Sequence, residues 1–156
     1  MPTAPQAEYY AQRTTAGLIV TEGIAISPGG FGWADTPGLW TEQQVCGWCR
    51  VTDAVHTAGG RIVAQLWHTG AMSHPDLLGG ALPLSAADVD PGQKSVTAAC
   101  RVPTVAPRAM TRDEIRQTVA DYGRAALNAM SAGFDGVQIQ AKDFYSLAQF
   151  LNRATD

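Results

Sequence analysis

The residues best placed to do chemistry in this chain lie in one stretch, 133–150, "GFDGVQIQAKDFYSLAQF". It reads as a helix end, a short apolar strand, and a loop carrying Gln140, Lys142, Asp143 and Tyr145. Parallel α/β sheets keep their reactive groups at the C-terminal ends of strands. A phenol can donate a proton, a carboxylate can accept one, and a carboxamide can anchor a carbonyl or hydroxyl. Two further apolar runs end in polar residues: one in Glu22 and Gly23, the other in Gln65, Trp67 and His68. His68 reads equally as a residue of the substrate pocket and as a side chain that bonds loop backbone. The other histidines, His56 in a helix and His74 in a loop, supply no convincing further ligand, so no metal site is expected. No G-x-S-x-G elbow, Walker loop or G-x-G-x-x-G after a strand is present.

The elements that must position these residues follow from the apolar pattern. Gly17–Gly23, Arg61–Trp67 and Asp135–Ala141 are short runs of β-branched or large apolar residues, the signature of strands in a buried parallel sheet. Between them lie two helical patterns. Thr41–Ala58 opens with the capping box Thr41/Gln44 and carries the stripe Val45, Trp48, Val51 or Thr52, and Val55; Gly59-Gly60 ends it. Thr111–Ala132 opens with Thr111/Glu114, carries Ile115, Val119, Tyr122, Ala126 and Met130, and closes at Gly133. Strand and helix alternate, which predicts right-handed crossovers and a parallel sheet. The long connections Ile24–Trp40 and His68–Met110 leave the C-terminal strand ends, where loops carry function. Pro28–Gly32 is glycine-rich and reads as a turn.

The chain has 156 residues, 46% of them hydrophobic, and a net charge of −3, which describes one globular domain. No run of Lys or Arg suits nucleic acid, and no apolar stretch is long enough to span a membrane. The N-terminal residues lack the basic-then-apolar order of a signal peptide. Cys46, Cys49 and Cys100 are odd in number, and the C-x-x-C falls inside a helix, so buried or half-buried thiols in a reducing, cytoplasmic setting are expected.

Four segments carry a resemblance: "AEYYAQRTTAGLIVTEGIAISPGGFGWADTPGLWTEQQVCGWCRVTDAVHTAGGRIVAQLWHTG", "SHPD", "PRAMTRDEI" and "GFDGVQI". From Ala7 to about Leu151 the chain resembles the old yellow enzymes, FMN-dependent ene-reductases built on a TIM barrel. The resemblance implies that FMN lies across the barrel mouth, with the backbone of Gly23 against the flavin ring and Gln65 on its pyrimidine edge. Trp33 and Trp67 then approach the substrate pocket. Where the family reads G-V-E-I-H-x-A-N-G-Y, Gln140 stands for the carbonyl-binding His and Asp143 for the Asn or His; Tyr145, the proton donor, is retained. A closed barrel takes roughly 250 residues, so the chain is expected to be one domain, a partial TIM barrel. That fragment would hold about three parallel strands resembling strands two to four, two main helices and long strand-to-helix loops. The late phosphate-binding loops are not among these units.

The parent chemistry so implied is hydride transfer from NAD(P)H through FMN to an activated alkene, in a barrel completed by self-association or by a complementary barrel-half protein. Two alternatives stand beside it. One is a flavin-free oligomer that binds, isomerises or cyclises a small organic molecule, with Asp143 and Tyr145 as acid and base and Gln140 as anchor. The other is a truncated, non-catalytic subunit.

Overall fold

The computed structural model describes residues 1–142 and 144–152. In chain order, helix α1 (Ala4–Ala11) precedes strand β1 (Ile19–Ala25), helix α2 (Glu42–Thr57) and strand β2 (Ile62–Trp67). Four short strands follow: β3 (Leu84–Ser85), β4 (Lys94–Val96), β5 (Arg101–Pro103) and β6 (Arg108–Ala109). Helix α3 (Arg112–Ser131), strand β7 (Gly136–Ile139) and helix α4 (Ser146–Leu151) complete it. The principal sheet is parallel, in the order β1-β2-β7.

Both main helices begin as their capping boxes require. Thr41 Oγ1 accepts from the Gln44 N–H at 3.3 Å while Gln44 Oε1 accepts from the Thr41 N–H at 3.0 Å. Thr111 and Glu114 repeat the exchange at 3.3 and 2.8 Å. Each box satisfies donors that the first helical turn leaves free. Helix α2 buries the expected stripe: Trp48, Val51 and Val55 are fully buried against Ile19, Ile24, Ile62 and Leu66. The Trp48 and Phe134 ring centroids lie 5.3 Å apart, and the Trp48 indole N–H donates to the Gly38 carbonyl. Thr52 Oγ1 donates to the Ala132 carbonyl at 2.6 Å, which ties the middle of α2 to the end of α3.

Helix α3 departs from expectation. Tyr122 and Ala126 pack against the core, but Val119 is 67% and Met130 72% exposed. The fully buried positions are Ala125 and Ala129, with Asp121 beside them. The sheet accepts the stripe of small residues, which lets the helix approach closely, and leaves the larger apolar stripe outward. Cys49 is half-buried, as expected, but Cys46 and Cys100 are exposed; Cys46 lies one position off the stripe of α2. The connection from His68 to Met110 is not featureless: β4 pairs antiparallel with β5, and β3 pairs parallel with β6. Among the described residues, no helix is long and apolar enough to cross a membrane.

Asp135 joins the start of β7 to β2. Its Oδ2 accepts from the Ile62 N–H at 2.7 Å and lies 3.0 Å from His56 Nε2. The hydrogen bond from His56, then that from Ile62, hold its carboxyl below the ordinary value. A depressed folded-state pKa contributes stability above the unfolded value of about 4, and that stability is lost as pH falls through the folded one. Asp135→Asn is expected to flatten this acid limb in urea unfolding measured across pH. Trp48→Ala is expected to cost about 3–5 kcal/mol in the same assay at neutral pH.

Candidate functional site

A β-bulge sets the geometry of the open sheet face. Ile19 and Val20 pair with Ile62 and Val63, but Gly23 pairs with Gln65, so Thr21 and Glu22 together oppose Ala64. Thr21 Oγ1 accepts the Gln65 N–H at 2.9 Å in place of a strand carbonyl. Alternation along β2 then sends Ala64 and Leu66 into the core and Gln65 to the opposite face. Gln138 of β7 pairs with Gln65, which sets Gly23, Gln65 and Gln138 abreast. Beyond them, the Gln140 N–H bonds the Leu66 carbonyl at 2.9 Å.

Three carboxamides form one connected row. Gln65 Nε2 donates to Gln138 Oε1 at 2.5 Å, and Gln140 Nε2 donates to Gln65 Oε1 at 3.3 Å. Beside the row runs a line of aromatic rings. Trp67 lies 5.1 Å from Tyr145, nearly edge-on at 69°, and 6.4 Å from Trp33. Gly23 lies flush on Trp67: a Cβ there would sit 2.6 Å from the indole, so only glycine fits. Burial raises the pKa of the half-buried Tyr145 phenol and keeps it protonated near neutral pH.

The structure thus brings together Gly23, Trp33, Gln65, Trp67, Gln140 and Tyr145. Glu22 turns away toward α1, where its Oε1 accepts from Gln6 Nε2 at 2.9 Å and its N–H donates to the Tyr10 hydroxyl. His68 does not line the open face: it is 3% exposed and its Nδ1 accepts from the Gly70 N–H at 3.1 Å. Burial lowers its pKa to about 4, so it is a neutral brace of the loop after β2. Asp143 lies outside the described residues.

Sequence reasoning missed two contributors. Gln138 is one; its signal was the period-2 recurrence of glutamine at 138 and 140. Gln149 is the other, a buried polar residue one helical turn after Tyr145. Its Oε1 accepts from the Ala71 N–H at 3.2 Å and the Ser85 hydroxyl at 2.9 Å, and its Nε2 donates to the Phe144 carbonyl at 2.5 Å. Phe144 sits at φ 68°, a left-handed conformation costly for a residue with a side chain. The Ser146 N–H donates to the His68 carbonyl at 3.0 Å. Together these bonds fix the backbone on both sides of Tyr145.

The sequence profile of the NADH:flavin oxidoreductase / NADH oxidase family matches residues 1–156. The chain belongs to that family. It is 42% identical to flavin oxidoreductase hxnT of Emericella nidulans, over 97% of this chain and 39% of that protein. It is 40% identical to 12-oxophytodienoate reductase 7 of Oryza sativa subsp. japonica, over 97% of this chain and 40% of that protein. It therefore spans about two fifths of the length of these curated relatives. Among solved structures, the old yellow enzyme homologue from Zymomonas mobilis superposes with a TM-score of 0.96 at 42% identity, covering all of this chain and 44% of that one. Morphinone reductase in complex with tetrahydroNAD gives 0.95 at 40% identity, over 45% of its chain. The fold is part of a TIM barrel, as expected.

This family of oxidoreductases uses FMN and NAD(P)H. The residues present fit the flavin ring. Its pyrimidine edge alternates acceptor, donor and acceptor, and the row of carboxamides can both donate and accept. The flush contact of Gly23 on Trp67 leaves a flat surface beside that row. Among the described residues, no cluster of basic side chains stands at these three strand ends, so the fit is to the ring and not to the phosphate.

Gln149→Leu is expected to release the Phe144 carbonyl and to strand the buried Ala71 N–H and Ser85 hydroxyl, each of these two buried losses costing roughly 1–3 kcal/mol. Urea unfolding should register the loss, and near-UV circular dichroism should show that the Trp67–Tyr145 pair has loosened.

Proposed function

We propose that this chain provides the ring-binding and proton-donating face of an old-yellow-enzyme-type reductase of activated alkenes. The carrying observation is Tyr145 held edge-on against Trp67 beside the connected carboxamides of Gln65, Gln138 and Gln140. Gly23 and Gln65 would hold the flavin ring. When bound, FMN supplies the hydride, obtained from NAD(P)H, that adds to one alkene carbon. Tyr145 holds the proton for the other carbon and regains it from water, so hydride and proton together saturate the double bond. Gln140 spends one amide N–H on Gln65 and keeps the other for the substrate carbonyl. A neutral carboxamide polarises that carbonyl less than a charged donor does, so slow turnover is expected. Trp33 and Trp67 wall the substrate.

The relatives' greater length and the outward apolar side chains support further β/α units packed on this chain. Val119, Leu127 and Met130 on α3, and Val137 and Ile139 on β7, are all more than 40% exposed. Units from the same polypeptide, a second copy or a complementary protein would cover them. A cytoplasmic location agrees with three unpaired cysteines.

One observation favours a flavin-free reading. Gln65 already spends one of its two Nε2 hydrogens on Gln138 and one Oε1 lone pair on Gln140, which leaves it half its capacity for a ring. The site would then bind or rearrange a small molecule without redox chemistry.

Titration of the purified chain with FMN separates the two. Shifted flavin absorption with quenched tryptophan fluorescence is expected, and Gln65→Leu should weaken uptake about tenfold, the worth of one good hydrogen bond. Tyr145→Phe should lower alkene reduction by roughly 10²–10⁴-fold while leaving FMN uptake intact. A chain that takes up no FMN would remove the reductase reading.

A further inference from the structure

A second cavity, of about 710 Å³, lies between the β4–β5 ribbon, Trp33 and Met72. Cross-strand pairing sets Lys94 opposite Pro103 and Val96 opposite Arg101. Side chains alternate along each strand, so these four share the ribbon face that lines the cavity, while Ser95 and Val102 take the other face. Lys94 and Arg101 therefore occupy diagonal positions on one face, typically about 7–8 Å apart. Like charges so placed repel, and among the described residues neither cation has a salt bridge.

Asp90 also lines the cavity, but its carboxylate is already committed. It accepts from the Thr104 hydroxyl at 2.6 Å and from the Gly92 N–H at 3.0 Å. The indole nitrogen of Trp33, a lining residue, is buried and has no hydrogen-bond partner. The ribbon is fixed in place by the Trp33–Val96 bridge and by the Ala34 N–H, which donates to the Val96 carbonyl at 3.0 Å. Trp33 also stands 6.4 Å from Trp67, so one wall of the cavity adjoins the aromatic line of the site.

We propose that this cavity binds the carboxylate end of an organic substrate. Lys94 and Arg101 are its counter-ions, and the flat body of the molecule lies against Trp33, Met72 and Val96. The ionised Asp90 in the lining disfavours a dianion, and Met72, Val96 and Pro103 suit a carbon skeleton. That places a monoanionic acid here ahead of a phosphate. Only the word substrate rests on the reductase reading; the anion site stands on its own geometry.

The test uses trans-cinnamate and its uncharged analogue cinnamamide, titrated into the purified chain without FMN and followed by tryptophan fluorescence. Cinnamate should bind at least about tenfold more tightly than the amide, and Lys94→Gln and Arg101→Gln should each remove about tenfold of that affinity, in the range of a charge-assisted hydrogen bond. Added salt should weaken cinnamate binding and leave the amide unchanged. Lys94→Glu should abolish cinnamate binding while raising the melting temperature, because it converts a repulsive diagonal pair into an attractive one. Equal binding of acid and amide, or unchanged affinity in the Lys94→Gln/Arg101→Gln double variant, would overturn the site. Displacement of cinnamate by stoichiometric inorganic phosphate would overturn the carboxylate assignment. Cinnamate binding in a chain that takes up no FMN would uphold this site and sink the reductase reading alone.

Discussion

The arrangement depends on strand β2 having two different faces. It is the central strand of the principal sheet, paired with β1 on one side and β7 on the other, so every second residue is committed to one layer. Ala64 and Leu66 enter the core with Trp48 and Val51. Gln65 is thereby forced outward, between Gly23 and Gln138. A slip of one residue would bury a carboxamide and expose a leucine. The same hydrophobic burial that holds α2 to the sheet therefore fixes the polar row.

Positions at the strand ends are then refined by a few buried polar side chains. Thr21 absorbs the bulge, His68 braces the loop after β2, and Gln149 gathers that loop, β3 and the Tyr145 segment onto one carboxamide. Each accepts or donates where backbone would otherwise be unsatisfied. The cost of leaving such groups unmade is larger than the gain from any single bond. This is how a loop with a left-handed phenylalanine can hold a phenol in one orientation.

The two main helices and three parallel strands were legible in the sequence because capping boxes and apolar periodicity are local signals. Gly23, Gln65, Trp67, Gln140 and Tyr145 were legible as one cluster because each lies at or just beyond the C-terminal end of a strand. Other features depended on contacts across the chain. Whether α3 would bury Val119 and Met130 or Ala125 and Ala129 was decided by how closely the sheet lets it approach. Glu22 was drawn away by Tyr10, twelve positions earlier in the chain. His68 read equally as a pocket residue and as a brace of loop backbone; the burial of its ring and the bond from Gly70 decide for the brace. The β4–β5 ribbon is held by pairing and by Trp33, neither of which leaves a periodic trace in so short a strand.

The composition of the row has a further consequence. Carboxamides and indoles carry no ionisable proton in water's ordinary range, His68 is uncharged down to about pH 4, and Tyr145 is shifted upward by burial. Across the interval in which cells live, these side chains keep one constant electrical state. Acidification or alkalinisation of their surroundings would leave their affinity for a neutral molecule untouched, an insensitivity that a histidine at position 140 would have forfeited.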